Sequence, residues 1–350
     1  MRSESPTAQT PEGTEGDVGR VLATFIAKQG FDHVVVENLV RVGGGTTQRL
    51  WSFEAVLEKR GCVERQALIA RGDPPGSHLD RISRSAELQV LRAVRQAGVA
   101  VPEALWCSSD SLLLGSPFLI MKRVDGETAP GPLLRGEKYA RARQAAPREL
   151  AAALARLHRL DVAAYGLGAL PQMGESPALG SVLRYQGLFR RDALEPRPVL
   201  EVGFRWLLAN VPPTSRSGLV HGDFRVGNFV YGPEGIRAIL DWELAHVGDP
   251  LEDISWVSLR TWRFGLDERE VGGLCRLEDF LEEYEKAGGP PVDRGALRFW
   301  QVFANLRWAV ITIQQARNHL DGYLRDVELA SIGRRAAENE LDLLDLIEEG

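Results

Sequence analysis

A chain of 350 residues, 44% apolar and 26% charged, has enough material to bury a substantial core. A net charge of -6 and a pI near 5.7 exclude a general electrostatic attraction to nucleic acid. The cysteines, Cys62, Cys107 and Cys275, are an odd, widely spaced set that fits reduced thiols rather than a disulfide framework or a zinc knuckle.

Residues 1–16 are polar, with Pro6, Pro11, Gly13 and Gly16, and read as a disordered tail. The segment lacks both the basic-plus-apolar pattern of a secretory signal and the Arg-rich pattern of a transit peptide. No stretch reaches membrane-spanning length. A cytoplasmic protein without membrane contact is therefore expected, and the composition leaves monomer and homodimer equally open.

The next third is rich in strand signals. Alternating or β-rich runs occur at 34–42, 50–57, 66–70, 104–106 and 118–121, the pattern of a small sheet. Between the first two lies Gly43-Gly44-Gly45-Thr46-Thr47. Consecutive glycines let backbone N–H groups approach phosphate oxygens, and the two hydroxyls can add donors. Many such turns bind nothing, and the Gly-x-Gly-x-x-Gly spacing is absent. The third run ends at Arg71, and an amphipathic segment over 80–97, with Leu88, Leu91 and Val94 on one face, carries Glu87. The run Phe118-Leu-Ile-Met121-Lys-Arg123-Val-Asp-Gly126 reads as a buried strand opening into a polar link. That link marks a hinge near 121–126, dividing a lobe over 17–122 from one over 123–350.

Beyond it the chain turns helical, with Ala and Leu periodicity over 148–160 and 199–208 and long segments near 267–287, 293–319 and 325–348. Pro147 fits a first helical turn, and Gly288-Gly-Pro-Pro291 a break between helices.

Within this half stands the order His221-Gly222-Asp223, Asn228, Ile239-Leu240-Asp241. Phe229–Tyr231, the turn Gly232-Pro-Glu-Gly235 and Ile236–Leu240 read as a hairpin, which would bring Asn228 and Asp241 together. Two carboxylates and a carboxamide in this order suit phosphoryl transfer, where catalysis is mostly alignment and charge neutralisation. Asp223 would orient an acceptor hydroxyl and take its proton. Asn228 and Asp241 would hold Mg²⁺, a hard cation that takes oxygen ligands. The offset from Asp223 to Asn228 is that of the protein-kinase pattern His-Arg-Asp-x-x-x-x-Asn. Taken singly, each residue is an ordinary turn former or helix cap, and His221 alone suits a structural hydrogen-bonding role. A metallophosphoesterase would need more histidines than this scattered set supplies.

The stretches Leu219–Asn228, Leu240–Glu243 and Gly248–Asp253 resemble the aminoglycoside phosphotransferase and choline kinase superfamily, relatives of the protein kinases. They are most similar to the kinase-like domains fused to some acyl-CoA dehydrogenases, and the likeness extends over roughly 20–348. The resemblance implies an α+β, protein-kinase-like fold in two lobes, a small antiparallel β lobe and a larger helical one, using ATP and Mg²⁺. It implies Asp223 as catalytic base, Asn228 and Asp241 as metal ligands, and Asp253 as a carboxylate bracing the catalytic loop. Arg71 takes the place of the phosphate-binding cation, with Glu87 as its partner. Met121 and Arg123 lie where related kinases bind the purine, and Gly44, Gly45, Thr46 and Thr47 where they cover phosphates.

Glu243, Trp256, Arg260 and Arg263 are candidates for the acceptor site, since Trp and Arg together bind planar or anionic groups. Core packing is the plainer role for each tryptophan. The expected activity is transfer of a γ-phosphate to the hydroxyl of a small molecule, such as a hydroxyacyl-CoA. The alternatives are an aminoglycoside kinase and a nucleotide-binding pseudokinase.

Overall fold

A computed structural model of the chain describes residues 15–42, 49–73, 80–213, 216–324 and 326–348. The Gly43–Thr47 turn lies outside the described residues, as does most of the expected tail, although a helix already begins at Glu15. The described residues form two compact units, one drawn from 15–73 and 104–123, the other from 80–103 and Val124 onward. This differs from a single division near residue 122, because the segment over 80–103 belongs with the second unit.

The first unit is a five-stranded antiparallel sheet, β1 (His33–Arg41), β2 (Arg49–Lys59), β3 (Cys62–Gly72), β4 (Ala104–Ser108) and β5 (Phe118–Lys122), in the order β1-β2-β3-β5-β4. Helix α1 (Glu15–Ala27) accompanies it. Phe53, Ala55 and Leu57 alternate inward along β2 and pack with Leu68, Ala70, Phe118, Ile120, Leu22 and Ile26. This period-two burial makes the strand. β3 starts four residues before the run read from sequence. The tight turn Arg60-Gly61, with φ of 53° and 76°, pairs Lys59 directly with Cys62 and carries the exposed end of β3 into the ladder.

The second unit begins with α2 (Arg84–Gln96), capped by the Ser83 hydroxyl, which accepts the Ala86 N–H at 3.2 Å. The short α3 (Ser111–Leu114) belongs to the first unit; α4 (Pro130–Arg135), α5 (Ala140–Leu157), α6 (Pro177–Asp192), α7 (Pro198–Ala209) and α8 (Leu251–Val257) follow in the second. The chain closes with α9 (Leu277–Lys286), α10 (Arg294–Leu320), α11 (Val327–Ile332) and α12 (Ala336–Glu348). Pro147 lies inside α5, not in its first turn. Helix α10 is the axis: Phe299, Trp300, Phe303, Leu306 and Val310 pack with Leu200, Phe204 and Leu207 of α7. Its buried residues surround the helix from Leu297 to Ile313, as expected of a helix enclosed on all sides.

Short strands carry the loops that follow. β6 (Gly218–Val220) pairs antiparallel with β9 (His246–Gly248), and β7 (Phe229–Tyr231) with β8 (Ile236–Ile239). The second pair is the expected hairpin, with Phe229 opposite Ile239 and Gly232 N–H donating to Gly235 O at 2.9 Å.

Candidate active site

β6 delivers the chain into His221-Gly222-Asp223. The loop must turn sharply there, and Gly222 does so at φ +83°, where an added Cβ would lie 2.5 Å from the Leu244 carbonyl oxygen. Asp253, in the first turn of α8 and fully buried, grips the loop: one carboxylate oxygen accepts the His221 N–H at 2.8 Å, the other the Gly222 N–H at 2.9 Å. Burial alone would raise its pKa. His158, whose Nε2 lies 3.3 Å from Oδ2, together with His221, outweighs burial and holds the carboxyl below its ordinary value.

His221 is wholly buried, and burial lowers its pKa against the pull of Asp253 and Asp223. Its hydrogen bonds fit the neutral tautomer, with Nε2–H donating to Leu240 O at 2.9 Å and Nδ1 accepting the Asp223 N–H at 3.1 Å. The ring thereby ties the loop to the exit of β8, which is a structural role.

The side chain of Asp223 faces three donors. Asn228 Nδ2 donates to Oδ2 at 2.6 Å and to the backbone oxygen of Asp223 at 2.9 Å. Trp256 Nε1 donates to Oδ1 at 2.8 Å and Arg225 Nε to the same oxygen at 3.1 Å. The Arg225 guanidinium also stacks on Trp262, 4.5 Å from the ring centre. Leu240 N–H donates to Asn228 O at 2.8 Å, closing the end of the hairpin one residue before Asp241. Asp241 takes the left-handed conformation at φ 62°. Asp223 and Asn228 are thus in direct contact, and Asp241 follows the residue that closes the hairpin.

With Nδ2 of Asn228 engaged twice, its Oδ1 is the atom left for a cation. Among the described residues no group of three or more His, Cys, Asp or Glu side chains could hold a metal by itself. One carboxylate, Asp241, and one carboxamide, Asn228, would suit Mg²⁺, which keeps several waters and shares its shell with phosphates rather than taking a full protein cage.

Beneath the loop lies a buried charged layer that the sequence did not reveal. Arg307 of α10 donates to Gly222 O, to Glu252 Oε1 at 2.8 Å and to Tyr185 Oη at 2.8 Å, and lies 4.3 Å over the Trp256 ring. Burial would raise the pKa of Glu252, but His246, at 3.2 Å, and Arg307 hold it down. A lone arginine inside the apolar run 299–313 was the available signal, because a buried cation must have partners.

The other expected site residues fall out differently. Trp256 is buried, with its indole on Asp223, so it supports the carboxylate rather than lining an open pocket. The Glu243 carboxylate lies 3.1 Å from Arg81 Nε, and its carbonyl accepts the Ile82 N–H at 2.9 Å. Arg260 pairs with Asp267 and Asp342. Arg263 is turned onto the Ser258 carbonyl, at 3.0 Å, and burial lowers its pKa. Arg260 and Arg263 nonetheless border a surface pocket together with Ser258 and Asp342, and Arg260 is 56% exposed. In the first unit Arg71 is buried on β3, opposite Leu50 and Leu119. Met121 is an interior position of β5, and the Arg123 N–H donates to Ala67 O at 2.8 Å, which occupies that donor. Glu87 is buried on α2, paired with Arg84. Gly44, Gly45, Thr46 and Thr47 lie outside the described residues.

A five-stranded antiparallel sheet in one unit and, in the other, a helical body bearing the His-Gly-Asp loop define a protein-kinase-like α+β protein. The chain belongs to the phosphotransferase enzyme family, whose model matches residues 44–300. It is 30% identical over 262 residues to acyl-CoA dehydrogenase family member 10 of Mus musculus, a match covering 71% of this chain and 24% of that protein. The chain spans about a quarter to just over a third of the length of the first curated relatives it matches. Among solved structures, a protein of Ralstonia eutropha JMP134 assigned as an aminoglycoside phosphotransferase superposes with a TM-score of 0.70 at 21% identity, over 94% of this chain and 98% of that one. A thermostable mutant of aminoglycoside phosphotransferase APH(4)-Ia in a ternary complex with ADP and hygromycin B gives 0.59 at 15% identity, over 93% and 98%. At these identities the structural likeness shows the fold alone. No described helix is long and apolar enough to cross a membrane.

Proposed function

We propose that this phosphotransferase moves the γ-phosphate of ATP, with Mg²⁺, to a hydroxyl of a small molecule, and that a hydroxyacyl-CoA or a similar metabolite is the preferred acceptor. The observation that carries the reading is the Asp223 carboxylate, held on both oxygens by Asn228 and Trp256 and set at the end of the hairpin that joins Asn228 to Asp241. Asn228 Oδ1 and the Asp241 carboxylate would hold the cation, which when bound neutralises charge on the phosphates.

Asp223 takes the proton of the acceptor hydroxyl as the new oxygen–phosphorus bond forms and the bond to the ADP oxygen breaks. Its fixed orientation is the main contribution of the protein, since alignment alone supplies much of the rate. Arg71 would steady the α and β phosphates, and the backbone from Met121 to Val124 would meet the base.

The acceptor preference rests on charge. An aminoglycoside is a polycation and needs open carboxylates near the base. Glu243 is held by Arg81, and Glu252 is buried under Arg307 and His246, whereas the cation Arg225 borders Asp223. The relatives named as acyl-CoA dehydrogenase family members point the same way.

Turnover of Mg-ATP with a panel of hydroxyacyl-CoAs and aminoglycosides tests the reading. Phosphate transfer to one or more hydroxyacyl-CoAs is expected. Transfer to aminoglycosides alone overturns the acceptor, and nucleotide binding with no transfer or ATP hydrolysis favours a regulatory pseudokinase.

A further inference from the structure

We propose that Trp256 is a positioning residue for Asp223, acting through its indole N–H, with Arg307 clamping the indole from its ring face. The proposal deepens the phosphotransferase reading and rests on it.

Helix α8 makes contact with the loop twice from one face. Asp253 holds the backbone before Asp223, and Trp256, three residues later and so on the same side, holds the side chain. A carboxylate attached only by its backbone still rotates about χ1 and χ2. Here Asn228 on Oδ2 and Trp256 on Oδ1 together fix both torsions. Trp256 in turn has little freedom. It is 1% exposed, packed with Trp262 and Trp308 at ring-centre distances of 5.9 Å each, and covered by the Arg307 guanidinium at 4.3 Å. Arg307 reaches past it to the carbonyl of Gly222 and to Glu252. One buried cation therefore fixes the residue before the base and the ring that holds the base. The indole also competes with Arg225 for Oδ1, so its removal frees the carboxylate to swing onto that cation, which is more exposed.

The test has a structural arm and a kinetic arm. In the intact protein labelled with ¹⁵N at its eight tryptophan indoles, Trp256→Phe identifies one resonance by its loss. That resonance is expected to shift in Asp223→Ala; its staying put while the fold is retained overturns the proposal. For the acceptor that the panel yields, or for ATP hydrolysis by water, Trp256→Phe is expected to lower kcat by roughly ten- to a hundredfold, the scale of a small misplacement. The KM for ATP should change less than threefold. Benzothienylalanine at position 256, which keeps the bicyclic shape and lacks the N–H, should lose as much as Trp256→Phe. Full activity of that isostere assigns Trp256 to packing and overturns the proposal. If the wild type turns over nothing, the phosphotransferase reading fails, while the resonance shift still decides whether Trp256 engages Asp223.

Discussion

Asp253 anchors the loop at His221: its carboxylate accepts the His221 N–H at 2.8 Å and, through its other oxygen, the Gly222 N–H at 2.9 Å. Truncating a buried, ionised carboxylate that satisfies two buried N–H groups leaves both unpaired. Asp253→Ala is therefore expected to destabilise the protein by about 3–5 kcal/mol and to abolish transfer, as read by denaturant unfolding and turnover. A loss below about 1 kcal/mol would contradict the bracing role.

Arg307 and Glu252 form the second buried pair, at 2.8 Å. Arg307→Met leaves Glu252 with its charge underground and is expected to cost about 3–5 kcal/mol. Adding Glu252→Gln should recover part of that loss, because the stranded charge is gone; a purely additive double-mutant cycle would show that the two residues act independently.

Asp249 gives a pH dependence with a definite sign. Burial raises its pKa from 3.8 to about 6, against the Leu251 N–H that favours the charged form. A folded-state value above the unfolded one stabilises below pH 4 and loses that benefit as pH rises through 6. Asp249→Asn removes the cost of the buried charge. It is expected to be more stable than wild type by up to about 3 kcal/mol at pH 7.5, the gap closing by pH 4. His221, whose pKa burial lowers, has the opposite trend: its contribution is present above pH 6.5 and falls as pH drops. The difference between the two proteins isolates Asp249, and equal stability at pH 7.5 would contradict the shift.

Gly222 sits at φ +83° with the Leu244 oxygen 2.5 Å from where a Cβ would go. Gly222→Ala is expected to destabilise by about 1–3 kcal/mol from backbone strain alone, with the contact adding to it, and to displace Asp223. Thermal melts and turnover should both fall.

Local signals were readable because they depend on neighbours in the chain. The five strands, the hairpin from Phe229 to Ile239 and the Asp223, Asn228, Asp241 order follow from alternation, turn residues and spacing. α6 escaped because Gly180 and Gly187 lower its helix propensity, yet Gly180 is needed: a Cβ there would meet the Met173 oxygen. The fate of the charged candidates was also hidden. Whether Arg263 faces a substrate or the Ser258 carbonyl, and whether Glu243 is open or held by Arg81, depends on packing between distant elements. Trp256 was visible as an aromatic near the site, but its donor role needs the position of a carboxylate 33 residues away in sequence. The same holds for Arg307, 85 residues from the carbonyl it pins.

The most direct measurement compares phosphate transfer and Mg-ATP affinity in wild type and Asp223→Asn. The substitution keeps the shape and the hydrogen bond to Trp256 while removing the base and the acceptor for Asn228 Nδ2, so transfer is expected to fall by about a hundred- to ten-thousandfold with the dissociation constant for Mg-ATP within about threefold. An unchanged rate would contradict Asp223 as the residue that takes the proton, and with it the account of this site.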